Sequence, residues 1–474
     1  MSKEYDLVVL GGGTGGYVAA IRASQLGMNV ALVEKDKVGG TCLHDGCIPS
    51  KTLLKTAELH REFANADEFG LDISSVRLNL EKTQKRKNNI IANLYNGVDA
   101  LLQKGQIDVY KGTGRILGPS IFSPMPGTIS IEHHDGEENT MLSPKFVLIA
   151  TGASPRGIED VPVDGTHILY SYHALQLNTL PSSMIIVGGG VVGIEWASML
   201  QDLGVNVTVV EGSKTILANE DKEVRQEVQQ QLEKRGVTFF VNTTIDPSTV
   251  VVENNQVSVE LVSEDESRML QADKMLLSIG RNPNIDNIGL SNTNIIEKDG
   301  AIVTNDMYQT KDTHIYAIGD CIGGKQLAHV ASAEGIVAVE HMTGNNPTAL
   351  NTLHIPSCIY SYPEVGRVGM TEEEALKEGY QIQVGKFPFQ GIGKAHIEGD
   401  PIGFSKVITD EQTKDILGVH IVGKNATDLI SEAGLAKVLD ATAWEISKTI
   451  HPHPSLSEVI YESALAVDDL QIHG

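Results

Sequence analysis

One pattern in this chain limits the fold more than any other, because it occurs twice. An apolar run, Tyr5–Leu10, enters Gly11-Gly12-Gly13-Thr14-Gly15-Gly16, a helix-like stretch to Leu26, a second apolar run at Asn29–Val33 and then Glu34. The apolar run Met184–Val187 enters Gly188, Gly190 and Gly193, another helix-like stretch, Asn206–Val210 and Glu211. Each landmark lies 177 residues after its counterpart, 188 against 11 and 211 against 34. Each copy reads as a βαβ unit whose glycines let the backbone approach a pyrophosphate at a helix N-terminus, where unpaired N–H groups and the helix dipole favour negative charge. A single GxGxxG is a weak signal. Two copies with the same spacing and the same acidic end predict two dinucleotide sites.

Glu34 and Glu211 stand where a carboxylate accepts hydrogen bonds from ribose hydroxyls. Such a carboxylate repels a 2′-phosphate, and Glu211 is followed by Gly212-Ser213-Lys214 with no arginine, so the second site is expected to take NAD. Two more strands are expected to close these units, Lys145–Ala150 running into Thr151-Gly152 and Lys274–Ser278 running into Ile279-Gly280-Arg281. Taken singly, a structural turn explains each of those glycines equally well.

At 474 residues the chain exceeds one ordinary core, so three or four domains are expected. The 47 glycines suit many tight turns and close backbone approaches. A formal charge of −24 argues against nucleic acid and anionic membranes as partners and allows a basic protein surface. Met1–Asp6 is charged and leads straight into a strand-like run, so no cleavable signal is expected. The apolar windows Leu7–Ala20 and Met184–Ile194 are broken by glycines and fall short of the ~20 residues a membrane span needs. Four cysteines make no secreted disulfide framework; the expected location is cytoplasmic, with catalysis or metal binding by the close pair.

That pair is Cys42 and Cys47, in Gly39-Gly40-Thr41-Cys42-Leu43-His44-Asp45-Gly46-Cys47-Ile48-Pro49-Ser50-Lys51. In a regular helix residues five apart have Cα atoms about 8.6 Å apart, from a rise of about 7.5 Å and a chord of about 4.3 Å. A disulfide needs roughly 4.4–6.8 Å. The segment must therefore be irregular if the two bond, and Gly46 is read as the source of that freedom. A helix starting near Cys47 suits Pro49 in its first turn and favours a thiolate at Cys47. Lys51, one turn on, adds positive charge. The competing reading is zinc held by both cysteines with His451 and His453. Cys321 and Cys358 are expected to be buried, inert thiols.

Near the C-terminus, His451-Pro452-His453-Pro454-Ser455-Leu456-Ser457-Glu458 sets two histidines in a proline-fixed stretch. A thiol with pKa near ~8.5 is only slightly ionised at neutral pH, so a histidine base would speed its attack on a disulfide. Glu458 could orient that imidazole. A rigid loop with a surface histidine is the competing reading.

Together these residues resemble the pyridine nucleotide-disulfide oxidoreductases, from Tyr5 to Leu470. The motifs are Gly11–Gly16, Gly39–Lys51, Ala150-Thr151-Gly152, Gly188–Glu195, Gly280-Arg281-Asn282-Pro283-Asn284, Ile315-Tyr316-Ala317-Ile318-Gly319-Asp320 and His451–Glu458. The resemblance implies an α/β fold with two Rossmann-like domains, an FAD-binding one over 1–148 and an NAD-binding one over 149–278. A central domain over 279–347 and a C-terminal α+β dimerisation domain over 348–474 follow. It implies FAD held by Gly11, Gly13, Gly16, Glu34, Lys51, Gly114, Thr151, Gly152, Asp320 and the Ala328 backbone. It implies NAD held by Gly188, Gly190, Gly193, Glu211, Ile245 and Gly280.

For catalysis it implies Cys42 as the interchange sulfur, Cys47 as the flavin-facing one, Lys51 paired with Glu195, and His453 with Glu458 as a base supplied across a homodimer. The likeness is strongest to members that oxidise dihydrolipoyl groups on the acyltransferase core of a 2-oxoacid dehydrogenase complex. Leu117–Pro124 and Ile194-Glu195-Trp196-Ala197-Ser198-Met199-Leu200 are similar to those of bacterial branched-chain complexes. Other disulfide reductases, for glutathione, a related thiol or mercury, remain as alternatives, as does an interaction-serving subunit. The sequence departs from the family in His44-Asp45, where Asn-Val is commoner, in Cys321 and in Ser455.

Overall fold

A computed structural model describes residues 3–119, 127–134, 136–263 and 267–473; positions 120–124 of the Leu117–Pro124 motif lie outside them. The chain forms two compact units, one of residues 1–50, 84–156 and 281–350, the other of 51–83, 157–280 and 351–474.

The first stretch of chain runs β1 (Lys3–Leu10), α1 (Thr14–Gln25), β2 (Val30–Glu34), α2 (Gly40–His44), α3 (Cys47–Ala64), α4 (Leu80–Lys104), β3 (Asp108–Lys111), β4 (Thr113–Ile116), β5 (Ile129–Glu132) and β6 (Thr140–Ile149). In the first unit the sheet order is β3-β2-β1-β6-β5-β4, with Ile315–Ala317 also beside β6. Leu7, Val8, Val9 and Leu10 are all buried, as a parallel strand covered on both faces requires. Leu10 pairs with Val33 and with Ile149, and Ala317 with Ile149, all in parallel. The strands therefore end at one sheet edge. Gly11, Glu34, Ala150 and the turn to Asp320 all leave from it, where ligands of open α/β sheets bind.

On one face α1 lies against the helix Ala328–Met342. The approach is close: a side-chain carbon on Gly15 would sit 3.0 Å from the Ala331 carbonyl oxygen, and one on Gly335 would sit 3.0 Å from Ala19 Cβ.

In the second unit, a five-stranded parallel sheet has the order Thr238–Phe240, Asn206–Val210, Ser183–Val187, Lys274–Leu277, Ile168–Tyr170. A smaller antiparallel sheet around Gln256–Val262 accompanies it. The C-terminal part is an antiparallel sheet ordered Ser357–Ile359, Val365–Gly369, Ile416–Val422, Phe404–Asp410, Ile382–Pro388. The helices Ala426–Val438 and Glu458–Leu465 pack on it. Leu53 and Ala57 of α3 enter the core built by Trp196, Met199 and Leu200. Among the described residues no helix is long and apolar enough to cross a membrane.

Candidate active site

The two glycine loops agree in detail. Gly11 and Gly188 have φ of 103° and 110°, which disfavour any side chain. A carbon on Gly11 would overlap the Ala150 carbonyl oxygen, and one on Gly16 the carbonyl of Gly11. At Gly188 and Gly193 the same overlaps fall on Ser278 and on Gly188. The middle glycines differ: Gly13 and Gly190, in extended backbone as N-caps of their helices, have nothing within 4 Å of where a side chain would start. The first and third glycines thus let strand, turn and helix meet, while the middle one leaves space beside open helix N–H groups. Each loop fits a pyrophosphate.

The acidic residues are held by the amides of their own loops. Glu34 Oε2 accepts from Gly12 N–H at 2.7 Å and Oε1 from Asp36 N–H at 2.8 Å. Glu211 repeats this with Gly189 N–H at 2.6 Å and Ser213 N–H at 2.7 Å. A carboxylate has about four acceptor positions, so capacity remains for ribose hydroxyls.

Further along the first unit's sheet edge, Gly152 has a φ of 70° and no atom near its missing side chain. Gly114 lies where a side-chain carbon would press to 2.7 Å from Leu10 Cδ2 and 3.1 Å from Val33 Cγ1. Ala328 opens its helix, so its N–H belongs to an uncapped N-terminus. Asp320 is pushed above the ordinary carboxylate range by burial, and Arg281, whose Nε is 3.6 Å from it, opposes that shift. Arg281 also reaches the Ala153 carbonyl and lies 3.5 Å from Thr41 Oγ1, a role for which its Gly-Arg motif gave no signal. In the second unit Gly280 has a φ of 113° with open space beside it, and Ile245 is buried and pairs with Leu261 in an antiparallel ladder.

The chain breaks between the cysteines as their spacing demands. Cys42 belongs to α2, Asp45 caps that helix at φ −131°, and α3 begins at Cys47. Both cysteines are half-buried. Gly46 falls in the bend between the two helices, outside the left-handed backbone found at Gly39 (107°) and Gly40 (56°), which precede both cysteines. Gly46 lacks a side chain because one would start 3.0 Å from the Thr41 carbonyl oxygen. Cys321 is buried and its thiol is pushed up to about 11 by burial. Cys358, expected to be buried, is half-buried, yet desolvation again pushes it to about 11.

In the second unit Lys51 Nζ lies 3.0 and 2.8 Å from the two oxygens of Glu195, a contact between residues 144 apart in the chain. Tyr360 completes the group, its N–H donating to Glu195 Oε1 at 3.0 Å and its ring 4.7 Å from Lys51 Nζ. His453 is exposed, with Nδ1 2.8 Å from Glu458 Oε1, and Glu458 also accepts from Ser455 N–H at 2.9 Å. Those contacts more than offset burial and hold the Glu458 carboxyl below its ordinary range. An ionised carboxylate only accepts, so Nδ1 carries a proton, and in the neutral ring the lone pair is left on Nε2. His451 is turned elsewhere, with Nε2 2.8 Å from Glu432 Oε1. Among the described residues, no group of three or more His, Cys, Asp or Glu could hold a metal ion.

Two dinucleotide loops, a spaced cysteine pair and a carboxylate-held histidine define a two-nucleotide disulfide oxidoreductase. The chain belongs to the pyridine nucleotide-disulphide oxidoreductase family, which matches residues 5–335, with that family's dimerisation domain over 355–464. It is 56% identical to a dihydrolipoyl dehydrogenase of Bacillus subtilis over 473 residues, covering 100% of both chains. A dihydrolipoyl dehydrogenase of Zymomonas mobilis is 38% identical, again over 100% of both. The crystal structure of LpdA from Mycobacterium tuberculosis superposes with a TM-score of 0.90 at 28% identity, covering 98% of this chain and 99% of that one.

Proposed function

We propose that this chain is a dihydrolipoyl dehydrogenase that works as a homodimer on the lipoyl-bearing acyltransferase core of a 2-oxoacid dehydrogenase complex, the branched-chain one by its Ile194–Leu200 segment. The observation that carries this reading is end-to-end identity of 56% to an enzyme of that name, in a chain that keeps both cysteines and the histidine–glutamate pair. The chain carries FAD on its first glycine loop and uses NAD+ on its second. The four domains are assigned as 1–148, 149–278, 279–347 and 348–474.

His453 Nε2 takes a proton from one thiol of the dihydrolipoyl group, while Glu458 holds the ring and stabilises its charged form. The thiolate attacks Cys42, the Cys42–Cys47 bond breaks, and Cys47 leaves as thiolate. The second lipoyl thiol closes the lipoyl disulfide and releases Cys42; Cys42 takes the proton that His453 holds, and the His453 ring takes the proton of the second thiol. The position of Cys47 at the N-terminus of α3, with Lys51 one turn on, favours its anionic state. FAD, which Gly11, Gly13, Gly16 and Glu34 would hold, would supply the acceptor for the electron pair of the reduced cysteines, and NAD+, which Gly188, Gly190, Gly193 and Glu211 would hold, would supply its final acceptor as hydride. Glu195 and Tyr360 hold Lys51 in place, and Glu211 orients a ribose and repels a 2′-phosphate.

The test is His453→Gln in FAD-loaded protein. Dihydrolipoamide oxidation should fall by roughly 10²–10⁴-fold, with FAD content unchanged; near-normal turnover would remove the histidine from its role. Growth of activity with NADP+ in place of NAD+ would favour the glutathione-type alternative.

A further inference from the structure

The first unit's sheet order sets which way a dinucleotide lies across its glycine loop. Strand β1, which feeds Gly11, has β2 on one side and β6 on the other, with Ile315–Ala317 beyond β6. Glu34 therefore leaves the sheet edge on one side of the loop and Asp320 on the opposite side. With Glu34 on the adenosine ribose, the hydroxyls left for a carboxylate beyond the pyrophosphate are those of the chain that carries the flavin. Asp320 follows Gly319, which has a φ of 72° and sits where a side-chain carbon would lie 3.2 Å from Ala331 Cβ. An acid that the chemistry above does not use holds this turn. Glu334, on the helix Ala328–Met342, is 8% exposed, and its Oε2 accepts from Gly319 N–H at 2.6 Å. Burial pushes the Glu334 carboxyl up; the Gly319 bond opposes that shift and Asp320 adds to it. Glu334 stands beside Gly335 and one turn from Ala331, the residues that meet Ala19 and Gly15 of α1. The helix that braces the turn is thus the one packed tightly on the helix of the glycine loop.

We propose that Glu334 is a positioning residue for FAD: through Gly319 it holds Asp320 in register with the Gly11 loop, so that the two halves of the cofactor meet one rigid frame. The proposal rests on reading that loop and Asp320 as the FAD site. Glu334 acts on the turn and not on the glycine loop, so its effect belongs to the flavin half and leaves the adenosine half alone. A backbone N–H needs a lone pair and not a charge, so the amide oxygen of a glutamine can replace the carboxylate. A side chain with no acceptor within reach leaves the Gly319 N–H without its partner and the turn free to shift.

The test uses full-length protein stripped of flavin, with Glu334→Met, Glu334→Gln and Glu334→Asp, and with Asp320→Ala alone and combined with Glu334→Met. Bound FAD is measured by equilibrium dialysis, and ADP, which ends at the pyrophosphate, is titrated as a competitor of FAD. Glu334→Met should weaken FAD roughly tenfold or more and leave the inhibition constant of ADP unchanged. Glu334→Gln keeps an acceptor oxygen and should bind FAD as wild type does. Glu334→Asp keeps the charge but is one carbon shorter, and should behave as Glu334→Met. With Asp320→Ala in place, Glu334→Met should cost little more, because both act on one contact. A general defect of the fold weakens ADP as well. Unchanged FAD affinity in Glu334→Met, equal losses for FAD and ADP, or a full further loss on top of Asp320→Ala overturns the proposal. If Glu334→Met does not fold, the other two decide: anything but wild-type affinity in Glu334→Gln with weaker FAD in Glu334→Asp overturns it. Wild-type protein that takes up no FAD refutes the reading of the loop itself, and the proposal with it.

Discussion

Alanine at Gly190 and alanine at Gly193, in separate proteins, should have opposite kinds of effect. At Gly190 the backbone is extended (φ −76°, ψ −175°) and the new methyl meets no atom within 4 Å. Alanine gains about 0.4–1 kcal/mol from its stiffer unfolded chain and loses up to roughly 1 kcal/mol as a poorer N-cap, so stability should barely change. The methyl nevertheless fills the space left for the pyrophosphate. Losing one hydrogen bond to a charged phosphate costs about 1.5–3 kcal/mol, a roughly 10–150-fold weaker affinity for NAD. At Gly193 the methyl overlaps the Gly188 carbonyl oxygen and lies 2.8 Å from Ser278 Oγ, so helix and strand must part. Overpacking of that kind costs about 1–3 kcal/mol, and an overlap with backbone falls at the upper end. Calorimetry measures both quantities, NAD binding by titration and unfolding by scanning. Wild-type NAD affinity in Gly190→Ala, or wild-type stability in Gly193→Ala, would refute the division of labour among the glycines.

Lys406, almost without exposed surface, lies 2.9 Å from Asp221 Oδ1 and 2.8 Å from Glu223 Oε2, with Glu372 also in contact, and these partners push its pKa up to about 12. Lys406→Met should cost about 3–5 kcal/mol in urea unfolding, because the equally buried Asp221 loses its counter-charge; a loss below about 1 kcal/mol would contradict this. The His451 pKa is raised, first by its hydrogen bond to Glu432. The stability from that bond is full below the ordinary histidine pKa of ~6.5 and is lost as pH rises through the raised value. Wild type should therefore melt above Glu432→Gln near about pH 5.5 and together with it near about pH 9. Glu211→Ala should cut the preference for NAD over NADP by roughly tenfold or more, as repulsion of the 2′-phosphate disappears; an unchanged preference in steady-state kinetics would place the discrimination elsewhere.

The sequence pattern carried both βαβ units because strand, glycine turn and acidic end are local and repeat. It could not say why each glycine is there. The motif assigns all three to the ligand, whereas Gly16 and Gly193 serve the joining of helix to turn. Spacing also required a break between the cysteines, and the break falls at Asp45 and Gly46, between α2 and α3. Arg281 and the Lys406 cluster were missed for one reason. Each acts through partners far away in the chain, as Lys406 does across 185 residues to Asp221, and no local spacing records that. The Lys51–Glu195 pair came only through likeness to known proteins, since 144 residues separate its members.

Because Glu34 and Glu211 are tied to the amides of their own loops, the shape each nucleotide meets is stored in the polypeptide and is not moulded by the guest. Ordering those loops belongs to folding, so binding should not have to restrain them again. The amide protons of Gly12 and Gly189 should exchange slowly with solvent even in protein stripped of nucleotide. In the enzyme proposed above, one carboxylate in each copy would then act twice, as a brace for the bare loop and as a gauge of the sugar that enters it.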